Sequence, residues 1–336
     1  MRKQLLAQSR ACAELGSPMY AELLARAADD PGGAAADVLG EHRGSGYILG
    51  MLGTVHRLVL EGRAPELAAY YPTAGGTRDP LLAWPAFRDV LAGHAAEIRA
   101  GLTDPPQTNE VGRSAPLVGG LLAISAATGG RPVRLLEIGA SAGLNLRADH
   151  FRFRHDGGVY GPESPVVLPG AWRGLPPVDA PLAIVERRGC DPNPLDAASP
   201  AAQRRLLSYV WPDQAERVAR LRAAFEVAAR VPAEVVRAGA AEFLDGLAPV
   251  RGTATVVWHS TMRAYLSEDE AARVDRHIED AGAAATADAP VAHLSFEGPD
   301  ASRLSTAHVV ALRLWPGGER RILGEGPSHG LPTTWL

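Results

Sequence analysis

The stretch that decides the fold reads VRLLEIGASAGLN and covers residues 133–145. It begins with an apolar run of strand length that ends near Glu137, and a turn of small residues follows. Gly139, Ser141 and Gly143 alternate in this turn. Small residues there let the backbone come close to a ligand at the carboxyl edge of a sheet. The stretch therefore predicts a strand, then a ligand-binding loop, then a helix.

Apolar runs of strand length alternate with helical segments after this stretch. The alternation predicts an α/β fold with a mostly parallel sheet, because parallel strands are joined by helical crossovers that cover both faces. Two later runs flank Pro316-Gly317-Gly318 and predict a C-terminal antiparallel hairpin. The predicted parallel strands are 133–138, 182–185 with an extension up to 190, 234–236, 254–258 and 291–296, and the hairpin strands are 309–315 and 320–323.

The first third of the chain has helical spacing and almost no strand signal. Thr108 or Asn109 has the chemistry of an N-cap for a helix that would end at Thr128, with a kink at Pro116. We therefore expect an α-helical cap region over residues 1–130, which would line a substrate pocket.

Residues 131–336 form the predicted ligand-binding domain. The connection between its first two strands is longer than a helical crossover requires and is rich in proline and glycine. We therefore predict a hairpin insertion at about residues 150–181.

Composition excludes several classes of protein. Lys3 is the only lysine, whereas pyridoxal-phosphate enzymes and Walker-type nucleotide hydrolases each need an internal lysine. The net charge is −4 and arginines are spread along the chain, so we expect no nucleic-acid partner. Cys12, Cys190 and the histidines have no metal-ligand spacing, so we expect no metal. No apolar run approaches the roughly 20 residues of a membrane span, and a cytoplasmic protein without a membrane partner is expected.

The small-residue turn also fits two other kinds of site. Its letters spell the nucleophile elbow of α/β-hydrolases, with Ser141 as nucleophile and His329 as a conceivable base. A hydrolase needs several strands before its elbow, whereas helices precede this one. A dinucleotide site needs an acidic residue about 20 residues later at a strand end, but Glu163 at that distance lies in a proline-containing loop. Both alternatives are weaker than a nucleoside cofactor.

The position of Asp191 after the second predicted strand favours the interpretation as a nucleoside-cofactor site. A carboxylate at that strand end can accept both ribose hydroxyls in a bidentate contact. Glu186 would take this role if the strand ended earlier, and a turn cap before Pro192 is the structural alternative. Ala240 follows the third strand, where an acidic residue is common in such enzymes, so adenine would be held there by backbone groups and apolar contact.

Distinctive strings occur along the whole chain. They are GSP at 16–18, HRLVL at 56–60, YYP at 70–72, QTNEVGR at 107–113, the loop 137–145, ERRGCD at 186–191, YVWP at 209–212, WHS at 258–260, and HG at 329–330 with Trp335. With these strings the chain resembles an uncharacterised bacterial family, domain of unknown function 2332. The resemblance implies a methyltransferase-like fold over nearly the whole chain.

Five parallel strands followed by a late hairpin are also the order of a Rossmann-like class I methyltransferase sheet. The loop then predicts S-adenosylmethionine as the cofactor. The expected cofactor contacts are Glu137, Gly139, Ala140, Ser141, Gly143, Asn145, Asp191, Ala240, Asn109 and Arg113.

Methyl transfer from a sulfonium is an in-line displacement, so an enzyme mainly positions the acceptor and, where needed, removes a proton. His259 ends the fourth predicted strand and is the expected base, since histidine titrates near neutral pH. Glu110 and Tyr265 are further catalytic candidates.

The segment from Gln107 to Arg113 lies at a predicted helix N-terminus, where amide donors favour an anion such as the cofactor carboxylate. Substrate-binding roles are predicted for Gln107, His56, Tyr71 and Trp258. A lone histidine in an apolar helix, such as His56, is more often a packing residue.

The sequence thus predicts an S-adenosylmethionine-dependent methyltransferase that acts on a small molecule. Two alternatives stay open. The protein could bind S-adenosylmethionine or S-adenosylhomocysteine as a sensor or for other chemistry, or it could be a serine hydrolase that uses Ser141.

Overall fold

The computed structural model of the chain describes residues 1–30, 33–103, 106–298 and 307–336, and it is a mixed α/β protein. The α-helices are α1 Arg2–Glu14, α2 Pro18–Ala28, α3 Ala34–Leu39, α4 Ser45–Leu60, α5 Pro65–Ala68, α6 Trp84–Gly93, α7 Ala95–Gly101, α8 Ser114–Ala127, α9 Pro200–Ser208, α10 Ala215–Ala228, α11 Ala240–Phe243 and α12 Glu268–Ala283. The strands are β1 Val133–Ile138, β2 Arg152–His155, β3 Gly158–Tyr160, β4 Val167–Leu168, β5 Trp172–Arg173, β6 Ile184–Asp191, β7 Glu234–Arg237, β8 Ala254–Ser260, β9 Val291–Glu297, β10 Ala307–Trp315, β11 Arg320–Pro327 and β12 Thr333–Trp335.

The chain divides into two compact units. Met1–Thr108 and Pro200–Leu221 form the helical unit, and Asn109–Ser199 and Arg222–Leu336 form the sheet unit. This division differs from the predicted boundary at residue 130. The physical reason is packing, because α8 lies against β9 and β10, whereas α9 lies against α4.

The helical unit contains no strand among its described residues, which agrees with the predicted helical character of this region. The hydroxyl of Ser17 caps α2 by accepting the backbone N–H of Tyr20 at 3.3 Å. The same hydroxyl donates to Asp213 at 2.6 Å, and the carboxylate of Asp213 also accepts the N–H of Met19. These bonds tie the segment before α10 to the start of α2.

A nine-stranded sheet dominates the sheet unit, in the order β5-β12-β11-β10-β9-β8-β1-β6-β7. The five strands from β9 to β7 run parallel, and β9 to β12 pair antiparallel with one another. The predicted mostly parallel sheet and its late hairpin are therefore confirmed. The strand order reverses at β1, since β6 lies on one side of β1 and β8 on the other.

Each face of the sheet is covered by a different helix. On the α8 face, a Cβ placed on Gly120 would lie 2.5 Å from the side chain of Leu294, so the helix can approach the sheet only because glycine stands there. On the α12 face, Val274 and Ile278 pack in one buried cluster with Val257. Successive strand residues point to opposite faces, so the face of each site residue follows from its position.

Pro116 does not kink α8, so that prediction was wrong. The helix begins at Ser114, after a short 3-10 turn, and Pro116 lies in its first turn. Proline is tolerated there because the first N–H groups of a helix have no intrahelical partner. Glu110, rather than Thr108 or Asn109, caps the preceding turn.

The predicted insertion forms a small three-stranded sheet in the order β3-β2-β4, and β2 and β3 are an antiparallel pair as expected for a hairpin. The strand after it, β5, lies at the edge of the main sheet and pairs parallel with β12. The stacked rings of Phe153 and Trp172, 5.1 Å apart, join the two sheets. The insertion is thereby fixed to the sheet unit.

Candidate functional site

The turn after β1, residues 139–144, is called the glycine loop below. Gly139, Ser141 and Gly143 have φ values of 74°, 55° and 66°, so alternate residues adopt the left-handed conformation. Glycine adopts this conformation freely, whereas serine does so at a cost. A Cβ on Gly143 would also lie 2.7 Å from Val235, so close packing requires glycine there as well.

The first half of the glycine loop is held by the end of β6. The backbone N–H groups of Gly139 and Ala140 both donate to the carbonyl oxygen of Cys190 at 2.9 Å. The N–H of Ser141 donates to the carboxylate oxygen Oδ2 of Asp191 at 3.0 Å. The other oxygen of Asp191 accepts the N–H of Asn193 at 2.8 Å. Asp191 therefore shapes the loop with both of its oxygens.

The second half of the loop is held from the other side. The side-chain oxygen of Asn109 accepts the N–H groups of Ala142 at 3.2 Å and Leu144 at 3.0 Å. The N–H of Gly143 donates to the carbonyl of Ala140 at 2.7 Å. With the bonds to β6, every backbone N–H of the glycine loop is used within the protein.

Asn145 connects the loop to the segment before α8. Its amide donates to the carbonyl of Glu110 at 3.2 Å, and its side-chain oxygen accepts the hydroxyl of Ser114 at 2.9 Å. The carboxylate of Glu110 accepts the N–H of Gly112 at 3.0 Å. The nearby Arg113 donates from Nε to the carbonyl of Ser328 at 3.0 Å. The structure thus places Asn109 and Glu110 at the two sides of this connection, while Arg113 is close enough to Glu137 for its charge to lower the pKa of that carboxyl group.

Glu137 is the buried acidic group of the site, with only 3% of its surface exposed. Burial raises the pKa of its carboxyl group to about 8, although the indole N–H of Trp258 and the charge of Arg113 lower it in part. Trp258 lies directly beside Glu137 in the register of β1 and β8. Nevertheless, oxygen Oε2 of Glu137 makes no hydrogen bond of regular geometry with a described residue.

Among the buried polar atoms without a hydrogen bond of regular geometry to a described residue are also Oγ of Ser141 and Nε1 of Trp258, whose N–H is nevertheless close enough to lower the pKa of Glu137. Buried polar groups without partners are rare and call for an explanation, such as a ligand. Together with Oε2 of Glu137 they offer a carboxyl oxygen, a hydroxyl that donates or accepts, and an indole N–H around the turn out of β1.

His259 lies on the α12 face, opposite to its neighbour Trp258, because successive strand residues alternate. Its Nδ1 is 2.7 Å from Oε1 of Glu297 and its Nε2 is 2.9 Å from Nε2 of His293. His259 is only 2% exposed. The structure therefore does not bring this predicted base to the glycine loop.

His308 is a histidine of the α8 face, and sequence reasoning missed it. Its ring contacts that of Phe296, with centroids 5.1 Å apart, and its Nε2 lies 3.1 Å from the hydroxyl of Thr261. Burial and the charge of Arg113 lower the pKa of His308 to about 4. Thr261 follows β8 with a φ of 52°. The pairing of β9 with β10 brings His308 to the face of Glu137. No local sequence pattern indicates this position.

Other predicted residues have partners that explain them within the fold. The N–H of Ala240 donates to Glu270 at 3.0 Å, so it is not available to adenine in this arrangement. Glu186 lies in the middle of β6, which continues to Asp191, and its carboxylate pairs with Arg134 at 2.6 Å. The alternative in which Glu186 ends the strand is therefore wrong. Tyr265 is 41% exposed, in the 3-10 turn after β8.

The remaining predicted residues belong to the helical unit. His56 is fully buried, with Nδ1 3.1 Å from the carbonyl of Ser208 and Nε2 2.7 Å from the hydroxyl of Thr73. Burial lowers the pKa of His56 to about 4. Tyr71 is also fully buried, with its ring 5.3 Å from that of His56, and Gln107 is half-buried. The contacts of His56 fit a packing residue.

In the described part of the chain, no three histidine, cysteine or acidic side chains are grouped so that they could hold a metal ion. Across the same residues, no helix is long and apolar enough to cross a membrane.

The fold and the loop define a mixed α/β protein with a turn of small residues at the carboxyl end of a central strand of its sheet. The chain belongs to a family described as uncharacterized proteins conserved in bacteria, domain of unknown function 2332, whose model matches residues 2–335. Neither the curated proteins nor the solved structures contain a significant match to the chain.

Proposed function

We propose that the sheet unit binds S-adenosylmethionine at the glycine loop and transfers its methyl group to a small molecule. The observation that carries this proposal is the buried carboxyl group of Glu137, whose Oε2 has no regular hydrogen-bond partner among the described residues. A ligand with a positively charged hydrogen-bond donor would supply that partner.

The hydrogen bonds of the loop argue against a phosphate-containing cofactor. Phosphates bind at such turns through free backbone N–H groups, and here all of these groups already donate within the protein. Glu137, at the end of β1, and Ser141, in the loop, have a carboxyl oxygen and a hydroxyl without a regular hydrogen-bond partner among the described residues, and such groups suit a cation. S-adenosylmethionine has an ammonium group and a sulfonium and contains no phosphate.

The topology of the sheet supports the same location for a ligand. The five parallel strands follow the order 3-2-1-4-5 in chain sequence, which is the order of a Rossmann-like doubly wound sheet. Ligands of such sheets bind at the carboxyl ends of the strands where the order reverses, and the glycine loop follows β1 at that point.

Asp191 remains a candidate for the ribose in this proposal. Each of its oxygens already accepts one backbone N–H. A carboxylate oxygen can accept more than one hydrogen bond, so these bonds do not exclude a contact of Asp191 with a ribose hydroxyl. Asn109 would act less directly, since its side-chain oxygen holds the loop on the other side.

When bound, the cofactor would supply a methyl group on a good leaving group. The protein would then have to orient the acceptor and exclude water. His308 is the histidine we assign to proton removal, because it lies on the same face as Glu137 and remains neutral near pH 7. His259 faces the other side of the sheet.

A serine hydrolase is the second candidate, and one observation favours it. Ser141 has a φ of 55°, and a strained serine between strand and helix is typical of a nucleophile elbow. Two observations oppose it. The hydroxyl of Ser141 has no hydrogen-bond partner among the described residues, although a nucleophile needs a base. The N–H of Ala142, which would serve the oxyanion hole, already donates to Asn109.

Calorimetry with S-adenosylmethionine and S-adenosylhomocysteine tests the proposal directly. We expect both to bind, and Glu137→Gln to weaken S-adenosylmethionine about tenfold or more, since it removes the carboxyl group that would lose its proton and accept from the cation. Glu186→Gln is the matched control, because Glu186 lies on the adjacent strand and pairs with Arg134. No binding by the unmodified protein would refute the proposal. If the protein bound S-adenosylmethionine but transferred no methyl group to any compound in a metabolite extract, a role as a sensor would be favoured.

A further inference from the structure

A cavity lies on the α12 face within the sheet unit, and none of its lining residues belongs to the glycine loop. Its volume is about 440 Å³, and its lining includes His259, His293 and Glu297 with three arginines. This volume is in the range of small-molecule sites. The role predicted for His259 was that of a base in methyl transfer at the glycine loop. That role does not involve this cavity.

A chain of two short hydrogen bonds ends at the cavity. The carboxylate of Glu297 is 2.7 Å from Nδ1 of His259, and Nε2 of His259 is 2.9 Å from Nε2 of His293. Glu297 also accepts the backbone N–H groups of Met262 at 3.1 Å and Arg263 at 3.4 Å. The acidic end of the chain is therefore fixed, and His259 is held between two partners.

The hydrogen bonds determine which nitrogen carries each proton. Ionised Glu297 only accepts, so Nδ1 of His259 must carry a hydrogen and donate to it. In neutral His259, Nε2 then has a lone pair, so Nε2 of His293 must donate to it. Nδ1 of His293 is left as an acceptor, and His293 lines the cavity. Burial and the charges of His259 and Arg263 keep the pKa of His293 well below its usual range, which agrees with a neutral ring.

One additional proton reverses the second bond. The proton is taken up from the cavity at Nδ1 of His293, and the hydrogen on Nε2 of His293 passes along the 2.9 Å bond to Nε2 of His259. Both nitrogens of His259 then donate, and Nδ1 of His293 keeps the added proton and becomes a donor toward the cavity. The positive charge stays on His259, next to the carboxylate of Glu297.

Among the described residues, two of the three arginines that line the cavity form ion pairs. Arg263 forms an ion pair with Asp275, and Arg313 forms one with Glu279, so α12 neutralises both cations. Arg320, on β11, forms neither an ion pair nor a hydrogen bond with any described residue. It is exposed and belongs to the lining of the cavity. Arg320 is therefore a guanidinium without an ionic partner among the described residues, while ionised Glu297 keeps the lining without net charge until the proton is taken up.

We propose that this cavity is a second binding site, which holds the anionic head group of a small molecule between Arg320 and His293 and takes up one proton through the Glu297–His259–His293 chain. An oxyanion of the sulfate or phosphate-ester class has the acceptors that a guanidinium and an imidazole N–H require. The site goes beyond the proposed methyl transfer and does not depend on it.

Sulfate is a suitable probe for the head group, because its own charge does not change between pH 6 and pH 8. Calorimetric titration of the full chain should give binding in the millimolar range, tighter at pH 6 than at pH 8. Heats measured in two buffers of different ionisation enthalpy should show uptake of about one proton at pH 8. Arg320→Ala should weaken sulfate about tenfold.

Arg321→Ala is the matched control, because Arg321 is the exposed neighbour of Arg320 on β11 and does not line the cavity. It should leave the affinity unchanged. Glu297→Gln should reduce the affinity at pH 6 to the value at pH 8, since it removes the negative partner of protonated His259. Circular dichroism would verify that each variant folds. Equal weakening by the two arginine variants, binding without proton uptake, or no binding at all would overturn the proposal.

Discussion

Asp191 and Ser141 are joined by a hydrogen bond of 3.0 Å from the backbone N–H of the serine to a carboxylate oxygen of the aspartate. This bond holds a left-handed residue that is not glycine in the middle of the glycine loop. The other oxygen of Asp191 holds the turn at Asn193. One side chain thus fixes the ends of two neighbouring parallel strands.

Replacing Asp191 tests this role. Asp191→Ala would leave two backbone N–H donors without an acceptor, so we expect a loss of about 1–3 kcal/mol in the free energy of unfolding. Asp191→Asn keeps one acceptor oxygen and should lose less. Chemical denaturation measures both. If the alanine variant were as stable as the unmodified protein but failed to bind S-adenosylmethionine, Asp191 would be a ligand contact and not a support of the loop.

Ser141→Ala separates a cofactor loop from a nucleophile elbow. The variant should fold and should bind S-adenosylmethionine with at most roughly a tenfold loss, the value of one neutral hydrogen bond. A fluorophosphonate probe should not label the unmodified protein, because Oγ of Ser141 has no base among its described neighbours. Labelling of the unmodified protein that disappears in Ser141→Ala would establish the hydrolase instead.

Glu137 should make the stability depend on pH. Burial raises the pKa of its carboxyl group to about 8 from an ordinary 4.5, so the folded protein keeps a proton that the unfolded chain releases. The free energy of unfolding should therefore fall between pH 4.5 and 8, by at most about 1.4 kcal/mol per pH unit. Below pH 4.5 both states hold the proton and the effect ends.

The comparison of Glu137→Gln with the unmodified protein isolates this contribution. The two should have similar stability near pH 4.5, and the glutamine variant should become relatively more stable as the pH rises to 8. Denaturant titrations at four pH values measure the difference. Glu234→Gln, at a side chain that is 58% exposed, is the control. A difference between Glu137→Gln and the unmodified protein that stays constant with pH would contradict the buried, partnerless carboxyl group.

The large sheet could be predicted because its signal is local. Buried parallel strands are continuous apolar runs, and the run before Glu137 is followed by glycines that a left-handed turn requires. The strands β5 and β12 could not be predicted, since two or three residues contain no period. Their pairing depends on an insertion and a tail that are distant in sequence.

The sequence predicts the roles of the site residues less well than it predicts the strands. Asn109 was predicted as a ligand contact, but its side chain accepts loop N–H groups 33 and 35 residues away. Residue type indicates that such a side chain needs partners, whereas the fold decides whether these are backbone or ligand. In the same way, strand periodicity predicts that Trp258 and His259 face opposite sides but not which side holds the loop.

His56 should act on stability and not on ligand affinity. Burial lowers the pKa of His56 to about 4, so the unfolded chain binds a proton that the folded protein does not. Its contribution to the free energy of unfolding should be complete above pH 6.5 and should decline as the pH falls to 4. His56→Ala should cost about 2–4 kcal/mol near pH 7, from a cavity and two lost hydrogen bonds.

Denaturation at pH 7 and pH 5 measures this effect, and calorimetry with S-adenosylmethionine is the second readout. The variant should lose stability at pH 7 and keep its affinity. A His56→Ala protein of unchanged stability that no longer binds or turns over its ligand would restore the predicted substrate-binding role.

Trp258 and His259 are neighbours in β8 that point to opposite faces, so they form a matched pair for locating the cofactor. Trp258→Phe removes the indole N–H beside Glu137, and we expect it to change the affinity for S-adenosylmethionine several-fold, because the pKa of Glu137 depends on that group. His259→Ala should leave this affinity within a factor of about two, since both nitrogens bind partners on the α12 face. Calorimetry on the two variants decides between the faces. If His259→Ala abolished cofactor binding and Trp258→Phe did not, the cofactor would lie on the α12 face, and the cavity beside His293 would be the methyl-transfer site.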